Sequence, residues 1–77
     1  MSSLNVQLGS RLTAREVEVL ALAAEGLSIA EISRELWLSA EGVRSHLKRA
    51  YRRLGASGRA DAVVLARRSG QLAEVAW

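Results

Sequence analysis

Arg44, Lys48, Arg49, Arg52 and Arg53 crowd ten consecutive positions of a 77-residue chain, with Ser45 among them. A guanidinium can bond two acceptors at once, an ammonium meets anions as a point charge, and a serine hydroxyl donates or accepts at short reach. Groups of this kind bind polyanions. Bond-breaking chemistry asks for other constellations. The chain has no cysteine and a single histidine, His46, with no carboxylate or nucleophile at a suggestive spacing, and it has no phosphate loop. No metal, no cofactor and no enzymatic activity are therefore expected.

The whole chain carries only +3, but the charge is unevenly placed. Residues 39–54 set those five cations against Glu41 alone, whereas residues 12–38 hold two arginines against five glutamates. A basic stretch beside an acidic one suits a polyanion approached from one side; the bland alternative is an ordinary solvated helix face.

The elements that must position the cations are helices. Alanine (13) and leucine (12) dominate, proline is absent, and no strand pattern occurs. Thr13 and Glu16 have the capping-box spacing, with Leu12 and Val17 placed for a hydrophobic staple, so a first helix is expected over about 14–25 with Gly26 at its left-handed end. Ser28 and Glu31 repeat the box and Leu27 and Ile32 the staple, for a second helix over 29–36. Ser39 caps a third helix, and Gly55 ends it. Val43, Leu47, Ala50 and Leu54 make its apolar stripe, while Glu41, Arg44, Ser45, Lys48, Arg49 and Arg52 take the opposite arc. A fourth helix fits 59–69, with Gly58 as cap, Gly70 at its end and Ala62, Leu65 and Ala66 inward; Val63 and Val64 are expected to point away from the core, flanking Arg67.

Two short helices joined by a tight turn, the second basic outside, match a helix-turn-helix. A helix of this kind fits the major groove of double-stranded DNA with its N-terminal part against base edges. Arg44 and Lys48, four apart, share the outward face with Ser45, while Arg49, Arg52 and Arg53 could meet phosphates, as could the free amides beside Ser39. Trp37, in the turn, is expected to cover the core, His46 to pack at the edge of the stripe, and Tyr51 either to border the core or to reach a phosphate.

With these residues laid out, the chain resembles the LuxR-type (GerE-type) DNA-binding domain from Leu12 to about Gly70. The resemblance rests on Leu12-Thr13, Arg15-Glu16, Glu18-Val19-Leu20, Gly26, Glu31-Ile32, Leu36, Ser39, Val43-Arg44, His46, Leu54-Gly55, Arg59 and Ala62, in that order. It implies an all-α, compact four-helix domain of bacterial, cytoplasmic, nucleoid-associated transcription regulators. It also implies a homodimer on a two-fold-related operator, paired through the fourth helix at Val63, Val64 and Arg67, with RNA polymerase as a candidate protein partner. By position, the base-contacting residues are Arg44, Ser45 and Lys48, and the backbone-contacting ones Thr13, Ser39, Arg49 and Arg52. Four positions depart from the family pattern: Gly42 where a β-branched residue is usual, Ala14 for proline, Ser33 for alanine, and Gly58 for asparagine or serine.

The expected division is a flexible N-terminal tail (1–11), the domain (12–70) and a C-terminal tail (71–77). Family members often carry an N-terminal receiver or sensing domain, so the chain reads either as a stand-alone regulator, which Met1 favours, or as an effector domain of something longer. Nothing points to a membrane or a small-molecule ligand. Two other readings stay open: a sigma-factor region-four-like promoter module, which VRSHLKRAYRRL also resembles, and a protein-binding adaptor whose basic helix docks on an acidic partner.

Overall fold

Thr13 starts the first helix as its spacing predicts. Its Oγ1 accepts from the Glu16 amide at 3.1 Å, and Glu16 Oε1 accepts from the Thr13 amide at 3.0 Å, so each side chain satisfies a donor that the first turn leaves open. In the computed structural model, which describes residues 11–72, four helices follow one another: α1 (Ala14–Ala24), α2 (Ile29–Leu36), α3 (Ala40–Leu54) and α4 (Arg59–Arg68). No strand occurs among the described residues. Ser28 and Glu31 close a second complete box at the start of α2, at 3.1 and 2.8 Å. At α3 only half the device is present. Ser39 Oγ accepts from the Gly42 amide at 2.9 Å, but glycine has no side chain to reach back to the Ser39 amide.

Three helices end on a glycine in the left-handed region: Gly26 (φ 95°) after α1, Gly55 (φ 71°) after α3 and Gly70 (φ 77°) after α4. At each, the next amide turns back to a carbonyl of the preceding turn: Leu27 to Leu22 at 3.2 Å, Ala56 to Tyr51 at 2.8 Å and Gln71 to Ala66 at 2.9 Å. The fourth end differs. Trp37, at φ 58°, occupies the same conformation after α2 although a side chain is disfavoured there. The turn is held by the Leu38 amide donating to the Ser33 carbonyl at 3.0 Å and by the Ser33 hydroxyl donating to the Leu38 carbonyl. The hydroxyl that departs from the family pattern at position 33 thus closes this turn.

The core gathers Val19, Leu20 and Ala23 of α1, Ile32 of α2, Val43 and Leu47 of α3, and Ala62, Val63 and Ala66 of α4. The α3 stripe is the one its periodicity predicts, with Val43, Leu47 and Ala50 buried and Leu54 partly so. Glu16, only 1% exposed, is buried beside this core, and its Oε1 lies 3.2 Å from Arg53 Nε. That pair ties the start of α1 to the last turn of α3.

Three expectations need correction. Trp37 does not cover the core: it is 93% exposed, because the left-handed turn throws its side chain outward. Val63 does not point away: it is 9% exposed and belongs to the core, while Leu65 is only partly buried. Helix α4 packs against both α1 and α3, and two neighbours cover a wider arc of it than one stripe would. Finally, Gln71 and Leu72 are not tail. Leu72 is buried in the core, and Gln71 Oε1 accepts from the Leu12 amide at 2.6 Å, joining the two ends of the domain. The rest of both expected tails, apart from exposed Arg11, lies outside the described residues. Among the described residues no helix is long and apolar enough to cross a membrane.

Candidate nucleic-acid interface

The buried stripe of α3 fixes the direction of everything opposite it. Because Val43, Leu47 and Ala50 face inward, Arg44, Lys48, Arg49 and Arg52 are exposed on the outer side, where Ser45 is half-buried. Arg44 Nη1 lies 3.8 Å from Glu41 Oε1, a solvated contact that restrains the guanidinium little. Arg44 and Lys48 therefore stand one turn apart on an open face. Arg53 is different. Its guanidinium is engaged with buried Glu16, so the last cation of the run serves the fold before it can serve a phosphate.

Of the expected backbone contacts, Arg49 and Arg52 lie along the second half of α3 and the other two stand at helix starts. Thr13 and Ser39 are exposed and both use their oxygens as cap acceptors, which leaves each hydroxyl hydrogen free to donate. At Gly42, in the first turn of α3, an added Cβ would lie 3.2 Å from Ser39 Oγ, closer than ordinary contact, so a β-branched residue there would require the Ser39 side chain to shift. On α4, Val64 is 45% exposed and Arg67 half-buried, with the Arg67 Nε buried and without a hydrogen-bond partner; Val63, in the core, is unavailable to a second chain. His46 packs at the stripe's edge, its Nδ1 buried and likewise unpaired.

Arg59 lies outside the sequence-based site, and Tyr51 entered it only as a residue that either borders the core or reaches a phosphate. Tyr51, on α3, and Arg59, at the start of α4, line a cleft of about 260 Å³ together with Arg44 and Lys48. Arg59 is brought there by a bond that no periodicity announces, Nη1 donating to the Leu27 carbonyl at 3.1 Å.

A tight turn between α2 and a basic, outward-facing α3 defines a helix-turn-helix DNA-binding domain. Comparison with known proteins then gives its family. The pattern of the GerE family, "Bacterial regulatory proteins, luxR family", matches residues 10–66, and the chain belongs to that family. Among its relatives, the spore germination protein GerE of Bacillus subtilis is 43% identical over 61 residues, 79% of this chain and 82% of that protein. The HTH-type transcriptional activator RamA of Corynebacterium glutamicum is 39% identical over 72 residues, 94% of this chain but 26% of RamA. The probable transcriptional regulatory protein NarL of Mycobacterium tuberculosis is 47% identical over 57 residues, covering 74% of this chain and 26% of NarL. The chain thus spans about a quarter of RamA and NarL. The solved structure of the transcription factor GerE superposes with a TM-score of 0.76 at 37% identity, over 80% of this chain and 92% of that one. The response regulator ChrA of a heme-sensing two-component system also gives 0.76, at 34% identity, over 79% of this chain and 30% of ChrA.

Proposed function

We propose that the chain is the DNA-reading domain of a bacterial transcription regulator and that it docks α3 in the major groove of duplex DNA. Arg44, Ser45 and Lys48 meet base edges; Thr13, Ser39, Arg49 and Arg52 meet the sugar-phosphate backbone and set the register. Two copies pair about a two-fold axis through α4, using Val64 and Arg67, whose unpaired Nε a partner could supply with an acceptor. The packed domain runs from Leu12 through Leu72 and acts in the bacterial cytoplasm on the nucleoid, with RNA polymerase as the partner of the bound regulator. The observation that carries the reading is the exposure of Arg44 and Lys48, side by side on a helix whose opposite face packs in the core.

The test is a fluorescence titration of labelled duplexes across salt. Log K should fall linearly with log salt, with a slope of about −0.9 per phosphate neutralised. Arg44→Ala should relax preference at one base pair, at a loss of about 1–3 kcal/mol on the preferred site. Equal weakening on every sequence would make Arg44 a phosphate contact instead, and a flat salt response would favour the adaptor reading. For the dimer, Val64→Glu should lower the sedimentation mass without lowering the melting temperature.

A further inference from the structure

The cleft on the flank of α3 has a composition of its own. Its floor is apolar, from Ile29 at the start of α2 and Leu47 of α3, with the Tyr51 ring beside them. Its rim carries three cations, Arg44, Lys48 and Arg59, and no carboxylate lines it. Glu31 and Glu35 line a separate, more polar hollow with Arg34 and Leu27. Three like charges around an uncharged floor attract an anion, and the floor favours one with an apolar portion attached. A free phosphate lacks that portion. A deoxyribose joined to a phosphodiester has both parts, the sugar's C–H face and the anion, in one rigid unit.

Position argues for the same occupant. Arg44 and Lys48 sit at the border between this cleft and the outer face of α3, so a ligand in the cleft adjoins whatever that face contacts. Arg59 is held in place by its bond to the Leu27 carbonyl, and only Nη1 is used, which leaves Nε and Nη2 as donors. Tyr51 carries a hydroxyl at the end of a half-buried ring.

We propose that this cleft seats one deoxyribose-phosphate unit of the strand bordering the groove. The sugar packs on Ile29 and Leu47, Tyr51 donates its hydroxyl to a phosphate oxygen, and Arg59 meets the same phosphate from the start of α4. The site rests on the docking of α3 argued above and adds to it a second anchor, outside the basic run, that couples α4 to the DNA.

The experiment compares the parent with Tyr51→Phe and Arg59→Gln, on a duplex selected from a random pool and on a scrambled one, across salt. Arg59→Gln should weaken binding about tenfold on both duplexes and reduce the salt slope by about 0.9, the loss of one neutralised phosphate. Tyr51→Phe, which keeps the ring, should weaken binding about fivefold on both, with unchanged slope and melting temperature. Should Arg59→Gln unfold the domain by releasing Leu27, the tyrosine variant decides alone. Parental affinity in Tyr51→Phe, with the parent's salt dependence intact, overturns this site while leaving the groove-reading helix standing. A parent that binds no duplex overturns both. Inorganic phosphate should displace the duplex no more than chloride at equal ionic strength; saturable displacement would mark a site for free anions and reject the strand.

Discussion

The first two helices and the last two are fastened differently at their N-terminal ends. Helices α1 and α2 each begin with a complete capping box, Thr13 with Glu16 and Ser28 with Glu31. Helix α3 has half of one, and α4 has none, since Gly58 offers no side chain to its first turn; Asp61 there accepts instead from the Ser57 amide at 3.0 Å. Glutamates at the third helical position stabilise a helix start; α3 has glycine there, and its first-turn acid, Glu41, stands one position earlier and faces Arg44 instead. In the first half the cap and third-position amides of α1 and α2 both find side-chain acceptors. In the half proposed to bind, donors are left facing outward, and α3 is held by burial of its stripe and by the Arg53–Glu16 pair. That pair is where the halves meet.

The most damaging single change is therefore the removal of Glu16. Glu16→Ala deletes the acceptor for the Thr13 amide and leaves Arg53 without its buried partner. The lost cap costs about 1 kcal/mol and the broken pair, with Arg53 partly solvated, about as much again or somewhat more, so a loss of about 2–3 kcal/mol in urea unfolding is expected. Glu16→Gln keeps a carbonyl oxygen for Thr13 and should lose about half of that. If Glu16→Ala unfolds within 0.5 kcal/mol (roughly the noise for a surface change) of the parent, α3 is not anchored through α1.

Trp37 is the exception within the well-fastened half, and it offers a gain. A left-handed backbone costs a side-chain-bearing residue about 1–2 kcal/mol, and glycine removes that cost while adding about 0.5–1 kcal/mol of unfolded-state entropy. With the indole 93% exposed, little packing is lost. Trp37→Gly should raise stability by about 0.5–1 kcal/mol, seen as a higher melting temperature. A lower one would mean that the ring covers apolar surface in solution.

Whether a residue's role is legible in the sequence follows the range of the interactions that set it, with Trp37 as the exception. A capping box, a staple or a glycine at a helix end acts within five or six residues, so Thr13, Ser28, Ser39, Gly26, Gly55 and Gly70 declare their roles locally. The buried stripe of α3 is equally local, which is why the outward placement of Arg44 and Lys48 was predictable from a 3.6-residue period. Val63 depends on α4 touching two helices at once, and Leu72 on a chain end returning to Leu12. Trp37 misled because large rings are usually covered, whereas here the backbone of a two-residue turn decides where the ring goes. Of the candidate interface, the α3 face could be read in advance. The Tyr51–Arg59 cleft could not, since Arg59 arrives through a bond to a carbonyl 32 positions away.

The smallest expected effect separates the two kinds of helix start by pH. The Ser28 amide donates to the Glu31 carboxylate and, with the Ser28 hydroxyl, holds it below the ordinary value of 4.5 against the opposing desolvation, with a smaller contribution from the charge of Arg34. A carboxyl lowered in the folded state contributes stability fully above its unfolded value, and that contribution is lost as pH falls through the folded one. Between pH 6 and pH 3 (roughly the range over which a lowered carboxylate titrates) the parent should therefore lose a margin over Glu31→Gln, whose side chain cannot titrate. The cap of α3 uses only the Ser39 hydroxyl and no carboxylate, so Ser39→Ala should destabilise by the same amount at both ends of that range. Melting temperatures of the three proteins at the two pH values test this directly. An equal acid loss in parent and Glu31→Gln would show that the α2 box holds through its serine alone, and the two halves would then differ in geometry but not in electrostatics.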